Sequence, residues 1–434
     1  MVRMNRLHDE IYELNQSQKK LSLVDTETRN SLLLKLSASL VEKKEEIFRA
    51  NREDIRAAES ANLALPLLKR LKFDEQKLSS ACEGLRQIAS LKDPIHAVIS
   101  QKELDDRLIL TQESCPIGVI GMIFESRPDA LIQIAALCLK SCNGIVLKGG
   151  SEALRTNMVL TDIIKDVSRS VLPEEISDRW ITLLESREAV TEMLELNKLI
   201  DLIIPRGSNS FVQYIMNNTT IPVLGHADGI CHCYIDEYAS VEKAVRISID
   251  SKCQYVAACN AIETILINER IVERVLPDLA KVLRSAGVEI RGDKRVSSLI
   301  DCVEAVESDW SEEYLDLIIS IKVVADTGSA IAHINTYGSS HTDVIVTENR
   351  EQAEFFLEAV DSADVYWNCS TRFADGFRYG LGAEVGISTH KIHARGPVGL
   401  EGLISYKWKL RGDGQIVADY SGIEAKSFTH KDLL

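Results

Sequence analysis

The run Val119-Ile120-Gly121-Met122-Ile123-Phe124 breaks into Glu125-Ser126-Arg127-Pro128-Asp129 and resumes as the apolar stretch Ala130–Lys140. A short apolar run bounded by small and polar residues reads as a buried strand. Pro128 suits the first turn of a helix, where its missing N–H costs no hydrogen bond. The unit then repeats. Gly144-Ile145-Val146-Leu147-Lys148-Gly149-Gly150 is a second buried strand opening into a glycine loop, with a helix from about Ser151. Leu199–Ile204, the loop Pro205-Arg206-Gly207-Ser208-Asn209 and the helical run Phe211–Met216 make a third. Strand, small-residue loop, helix, repeated, predicts a parallel α/β sheet. Ligands of such sheets bind beyond the carboxyl ends of the strands, where these loops lie.

Outward from this core the pattern changes. The first 90 or so residues read as helical, with Leu33, Leu36, Leu40 and Ile47 on one face, Lys43 to Glu46 outside, and Pro66 as the clearest break. A second α/β unit begins near Tyr234, with a strand at Ala261–Ile267 and a helix at Ile271–Ala286. The segment Leu403–Val417 alternates around Gly412-Asp413-Gly414 and is expected to form a hairpin whose open edges suit pairing with another subunit.

With 434 residues, more than one core is expected. The composition, 45% hydrophobic and 26% charged, is that of a soluble globular protein. The N-terminus runs straight into charged residues, and no apolar stretch approaches the ~20 residues of a spanning helix, so neither leader nor membrane anchor is expected. A net charge of −15 argues against a broad nucleic-acid surface, yet a few local cations suffice to hold a small anion. The ten cysteines form no CxxC pair, which fits a reduced cytosolic protein. His226, Cys231, His232 and Cys233 invite a metal reading. A strand would turn Cys231 and Cys233 to one face and His232 to the other, which disfavours it.

Two residues stand out for chemistry. Lys148 ends a buried strand before two glycines, a geometry that suits nucleotide phosphate or ribose oxygens, or simply a solvated lysine. No GxGxxG follows any strand. Cys259 lies in Tyr255-Val256-Ala257-Ala258-Cys259-Asn260-Ala261, where small neighbours leave room for a substrate carbonyl to reach sulfur. Composition does not prefer it over Cys253, and either could be inert core.

Several motifs, in order, resemble one family. They are Ser126-Arg127-Pro128-Asp129, Pro205-Arg206-Gly207-Ser208-Asn209, the run Leu224–His232, Ala258-Cys259-Asn260-Ala261, Tyr337-Gly338-Ser339 with His341-Thr342-Asp343, Ser370-Thr371-Arg372-Phe373, and Gly380–Thr389. Together they resemble the γ-glutamyl phosphate reductases of the aldehyde dehydrogenase superfamily, and the reductase half of the fused pyrroline-5-carboxylate synthases. Val256 and Cys369 depart from the family pattern, where proline and alanine are expected.

The resemblance implies an aldehyde dehydrogenase-like α/β fold. Its parts would be a Rossmann-type NADPH-binding domain at 1–233, with 98–114 contributing to an oligomerisation hairpin, a catalytic α/β domain at 234–394, and a small β oligomerisation element at 395–434. It implies catalytic roles for Cys259 as nucleophile, Arg127 as oxyanion donor and Asn260 beside them. Lys148, Gly207, Ser208 and Glu313 would bind the cofactor, NADPH/NADP+, with Lys148 on the adenosine ribose and Glu313 on the nicotinamide ribose. Ser370, Thr371 and Arg372 would line the substrate funnel, and no metal is implied. The expected substrate is L-glutamyl 5-phosphate, in proline biosynthesis, in a cytoplasmic homo-oligomer with transient contact to glutamate 5-kinase. Val223 falls where hydrolytic relatives keep a water-activating glutamate, so a hydrolytic aldehyde dehydrogenase is disfavoured. A catalytically idle binding protein is disfavoured because Cys259, Lys148 and Glu313 are all present.

Overall fold

A computed structural model of the chain describes residues 2–186, 188–225 and 228–434. The amino-terminal layer consists of α1 (Val2–Leu21), α2 (Thr26–Glu42), α3 (Lys44–Ser60), α4 (Leu65–Leu71) and α5 (Glu75–Ser90). Asp25 and Asp74 cap α2 and α5 by accepting the N–H of Thr28 and Lys77. The antiparallel hairpin β1 (Val98–Asp105) and β2 (Leu108–Pro116) then leads into β3 (Val119–Phe124), α6 (Pro128–Lys140), β4 (Gly144–Gly149), α7 (Leu154–Val171), β5 (Ile181–Leu183), α8 (Glu188–Leu194), β6 (Leu202–Arg206) and α9 (Asn209–Asn217).

The first sheet is parallel, in the order β5-β4-β3-β6. Its strands alternate between two cores, as period-two geometry requires. Ile120, Met122, Phe124, Ile145 and Leu147 pack with helices α2, α5, α6 and α7 on one face. Val119, Ile123, Val146 and Ile203 pack with α1, α8 and α9 on the other. Both faces are covered, which explains why these strands read as unbroken apolar runs.

The second sheet has seven strands, all parallel. In chain order these are β7 (Cys231–Ile235), β8 (Ile262–Asn268), β9 (Glu289–Gly292), β10 (Val303–Glu304), β11 (Ile318–Val324), β12 (Thr342–Val346) and β13 (Asp364–Trp367), in the spatial order β10-β9-β11-β8-β7-β12-β13. Helices α10 (Val241–Cys253) and α11 (Val272–Ser285) close one face over Cys231, Cys233, Ile235, Ile265 and Ile267.

The chain then returns to the first unit. Strands β14 (Gly386–Ser388) and β15 (Gly396–Val398) pair with each other, and Val385, Val398, Leu400 and Leu403 complete the first core. The expected junction at 394/395 falls between β14 and β15, which are bonded partners. The expected hairpin at 403–417 is corrected. Strand β16 (Ile404–Arg411) pairs with β2, far upstream in the chain, in register Ile404↔Pro116 to Arg411↔Ile109, and Val417–Tyr420 is a 3-10 turn. With β17 (Lys431–Asp432) on β1, this makes a four-stranded antiparallel sheet, β16-β2-β1-β17. Among the described residues, no helix is long and apolar enough to cross a membrane.

Candidate active site

Cys259 sits in the turn between α10 and β8 and is half-buried. Several other cysteines sit in environments that raise their pKa. Cys253, in the last turn of α10, packs against the second core, and burial pushes its thiol up. Burial pushes Cys142 to about 11 and Cys233 to about 12. Such thiols stay protonated and inert.

The turn that presents Cys259 is held from behind. The Cys231 thiol donates to the Cys259 carbonyl at 3.2 Å. Gly229 lies so close that a Cβ there would stand 2.2 Å from the same oxygen, so only glycine fits. Asn260 points inward: it is 3% exposed and donates through Nδ2 to the Ala374 carbonyl at 2.7 Å. Thr371 is fully buried and donates to the Asn260 carbonyl at 2.6 Å. Ser251 of α10 joins Ser370 at 3.2 Å and accepts the Thr371 N–H. Asn260, Ser370 and Thr371 thus frame the turn that carries Cys259, and the buried Asn260 Oδ1 has no partner among the described residues. Beneath it, fully buried Lys252 and Glu263 form an ion pair joining α10 to β8, and burial holds the Glu263 carboxyl well above the ordinary carboxylate range.

Arg372 is the charged member of its triplet. Burial and the neighbouring Arg378 lower its pKa while Cys259 opposes the shift, which places it within electrostatic reach of that thiol. Its Nε donates to Gln254 at 2.9 Å. Arg127, at the N-terminus of α6, has its pKa lowered by burial and by the like charges of Arg206 and Arg70.

The carboxyl ends of β3, β4 and β6 open into a cleft of about 570 Å³ lined by Phe124, Lys148, Ser208, Phe211 and Tyr214, among others. Lys148 is 5% exposed, with its ammonium turned onto the Gly149 carbonyl at the cleft floor. Gly207 and Ser208 form the turn into α9; Ser208 is the N-cap residue, with no side-chain capping bond. The Glu125 carboxylate accepts the Ser208 N–H, and burial followed by repulsion from Glu152 raises its pKa. Asn209 ties this turn to the second unit, donating to Asp228 at 2.9 Å and to Glu313 at 2.5 Å. Glu313 and Ser208 therefore flank the same helix start. Val223 bridges Ile203 and is packed against apolar neighbours.

The residues weighed for a metal diverge. Cys231 and Cys233 face the second core, whereas the His232 ring meets Asp343 on the far side at 3.1 Å. His226 lies outside the described residues.

Two parallel-sheet units, one opening into a cleft with Lys148 on its floor and the other presenting a half-buried Cys259 on a turn, define a class. The chain belongs to the aldehyde dehydrogenase family, whose model matches residues 9–305. Within that family its likeness is to the γ-glutamyl phosphate reductases. The reductase of Acetivibrio thermocellus is 54% identical over 422 residues, 97% of each chain, and that of Pelotomaculum thermopropionicum is 55% identical over 426. The crystal structure of γ-glutamyl phosphate reductase from Thermotoga maritima superposes with a TM-score of 0.91 at 37% identity, covering 94% of this chain and 99% of that one. An acetylating aldehyde dehydrogenase from Geobacillus thermoglucosidasius, 17% identical with a TM-score of 0.65, shares the fold.

Sequence reasoning missed Gly229, the Cys231 thiol and the Glu125–Ser208 contact. Gly229 and Cys231 lay inside a quoted motif, but nothing local in sequence says that they touch residue 259.

Proposed function

We propose that the protein reduces L-glutamyl 5-phosphate to L-glutamate 5-semialdehyde and phosphate with NADPH, through a thioester on Cys259, as the second step of proline biosynthesis from glutamate. The observation that carries this reading is the half-buried Cys259 within electrostatic reach of desolvated Arg372, with apolar Val223 where hydrolytic relatives keep a base.

The cleft suits a dinucleotide in size and lining. Lys148 would hold the adenosine ribose, Gly207 and Ser208 the pyrophosphate at the start of α9, and Glu313, steadied by Asn209, the nicotinamide ribose. When bound, the reduced nicotinamide supplies a hydride.

The chain's own residues do the rest. The Cys259 thiolate attacks the γ-carbonyl, forming the C–S bond as the C–O bond to phosphate breaks. Phosphate leaves carrying the one proton that the overall reaction consumes. Arg127 and the Cys259 N–H face the oxyanion of each tetrahedral stage, and Arg372 eases departure of the phosphate dianion. After reduction the thiohemiacetal collapses, the C–S bond breaks, and Cys259 is regenerated. Val223 matters here as an apolar residue, because a water-activating carboxylate would hydrolyse the thioester before reduction.

Run backwards, oxidation of the semialdehyde is expected to require inorganic phosphate. NADPH formation at a comparable rate without phosphate sinks the reading. The same proposal has the enzyme in the cytoplasm as a homo-oligomer, with Tyr406, Trp408 and Leu410, each more than half exposed on β16, covered by another subunit. Trp408→Glu is expected to shift the sedimentation profile towards monomer. Because acyl phosphates are labile, transient contact with glutamate 5-kinase is also proposed, and negative pull-down and channelling assays would remove it.

A further inference from the structure

The reaction above accounts for the γ-end of the substrate and leaves its amino-acid end unassigned. Two charged residues that its chemistry does not use, Arg206 and Glu384, lie beside those that it does. Arg206 ends β6, and its guanidinium reaches Oε1 of Glu384 at 3.7 Å. Glu384 lies in the returning segment just before β14 and has a side chain only 21% exposed. Its Oε2 accepts the N–H of Gly376 at 2.8 Å, whereas among the described residues Oε1 has only the Arg206 contact, longer than a hydrogen bond. A Cβ on Gly376 would stand 2.7 Å from that of Glu384, so glycine at 376 is what lets the carboxylate dock.

The loop that receives Glu384 is the one that serves the nucleophile. Ala374 anchors Asn260 and Arg372 lies within electrostatic reach of Cys259, so carboxylate and sulfur are referenced to one short segment. Arg127 closes the group. It lies within electrostatic reach of both Glu384 and Arg206, and no described residue gives its guanidinium a hydrogen bond or ion pair. A partly buried cation without a partner is costly until an anion arrives.

With Arg70, Arg378 and Asp375 also within electrostatic reach, Arg206, Arg127, Arg372 and the open carboxylate oxygen of Glu384 suit a molecule with two anionic groups and one cationic group. An α-amino acid bearing an acyl phosphate has that set. Resting on the reaction proposed above, we infer that Glu384 and Arg206 form the recognition site for the substrate's α-amino-acid head: Oε1 of Glu384 accepts the α-ammonium and Arg206 binds the α-carboxylate, leaving Arg127 and Arg372 for the acyl and phosphoryl oxygens. Burial holds the Glu384 carboxyl above its ordinary range even with Arg206 beside it. A bound ammonium supplies the missing positive partner.

The test uses phosphate-dependent oxidation by the intact enzyme of three aldehydes: L-glutamate 5-semialdehyde, glutarate semialdehyde, which lacks the ammonium, and pentanal, which lacks both groups. The wild type is expected to prefer them in that order. Glu384→Gln should lower kcat/KM for L-glutamate 5-semialdehyde about a hundredfold, chiefly through KM, and leave glutarate semialdehyde within about threefold. Arg206→Met should erase the preference for glutarate semialdehyde over pentanal. A Glu384→Gln enzyme that keeps the wild-type preference between the first two aldehydes overturns the assignment, and so does an equal loss on all three, the mark of a merely structural role. Should that variant fail to bind NADP+, the Arg206→Met comparison decides alone. A wild type inactive on all three aldehydes with phosphate present defeats the reaction itself, an outcome distinct from lost selectivity.

Discussion

The carboxyl ends of the first sheet and the amino ends of the second meet at one site but are built differently. Around Cys259 the second unit is a frame: Thr371, Ser370, Ser251 and the Asn260 Nδ2 bond to one another or to backbone, the Asn260 Oδ1 alone being left open among them, and the Cys231 thiol and Gly229 lie behind the turn that carries Cys259. The first unit presents groups with capacity left over. Arg127 has no partner among the described residues, the Ser208 hydroxyl makes no capping bond, and Glu125 is pressed against a second carboxylate. Satisfied polar groups hold geometry; unsatisfied ones wait for ligand. The difference separates residues whose loss should destabilise the fold from those whose loss should leave it intact.

Cys259→Ala is the sharpest probe, because it removes the nucleophile while leaving the frame whole. A loss of turnover on the order of a thousandfold or more is expected, with NADPH binding retained in a fluorescence titration. An active Cys259→Ala enzyme with a dead Cys253→Ala one would reverse the assignment. Arg127→Gln comes next, with activity down about a hundredfold and thermal stability unchanged or raised, since a desolvated cation is relieved. Asn260→Ala should behave oppositely, costing about 1–3 kcal/mol in denaturant unfolding and about tenfold in kcat. If Arg127→Gln melts earlier than Asn260→Ala, the contrast between frame and open side is wrong.

Smaller effects sharpen the open side. Lys148→Ala should raise the KM for NADPH about tenfold with kcat little changed, and an unaltered KM would return Lys148 to a structural role. Glu125→Gln should tighten NADPH binding about threefold at neutral pH. The sign follows from the raised Glu125 pKa: as pH falls, this carboxyl takes a proton earlier than an ordinary one and ceases to repel an anionic cofactor. Wild-type affinity should therefore rise on acidification, and the variant's should rise less.

The first sheet was legible because its information is local. Alternate residues of Val119–Phe124 and Gly144–Gly149 face two cores, so both strands had to be apolar throughout, and the small-residue loops marked their carboxyl ends. The choice of Cys259 over Cys253 was not local. It came from a family likeness; in the fold Cys253 packs against the second core whereas Cys259 lies on a turn. The bonds by which Asn260, Ser370 and Thr371 hold the Cys259 turn were not legible, because sequence shows proximity to a motif but not the direction of a side chain. The segment around Gly412 failed for a related reason. Alternation identifies a strand without naming its partner, and β16 found β2 instead of its own neighbour, with Arg107–Asp413 and the bond from Gln415 to the Asp106 carbonyl securing the junction.

The return of the chain at 383–403 carries a consequence for synthesis. Val385, Leu400 and Leu403 belong to a core whose other members were made hundreds of residues earlier. A ribosome must release more than nine-tenths of the 434 residues before that core is whole, so the nascent first unit carries an unfilled apolar groove meanwhile. Chaperone dependence during translation, and sensitivity to truncations that spare every residue of the reaction, are the expected marks of this topology.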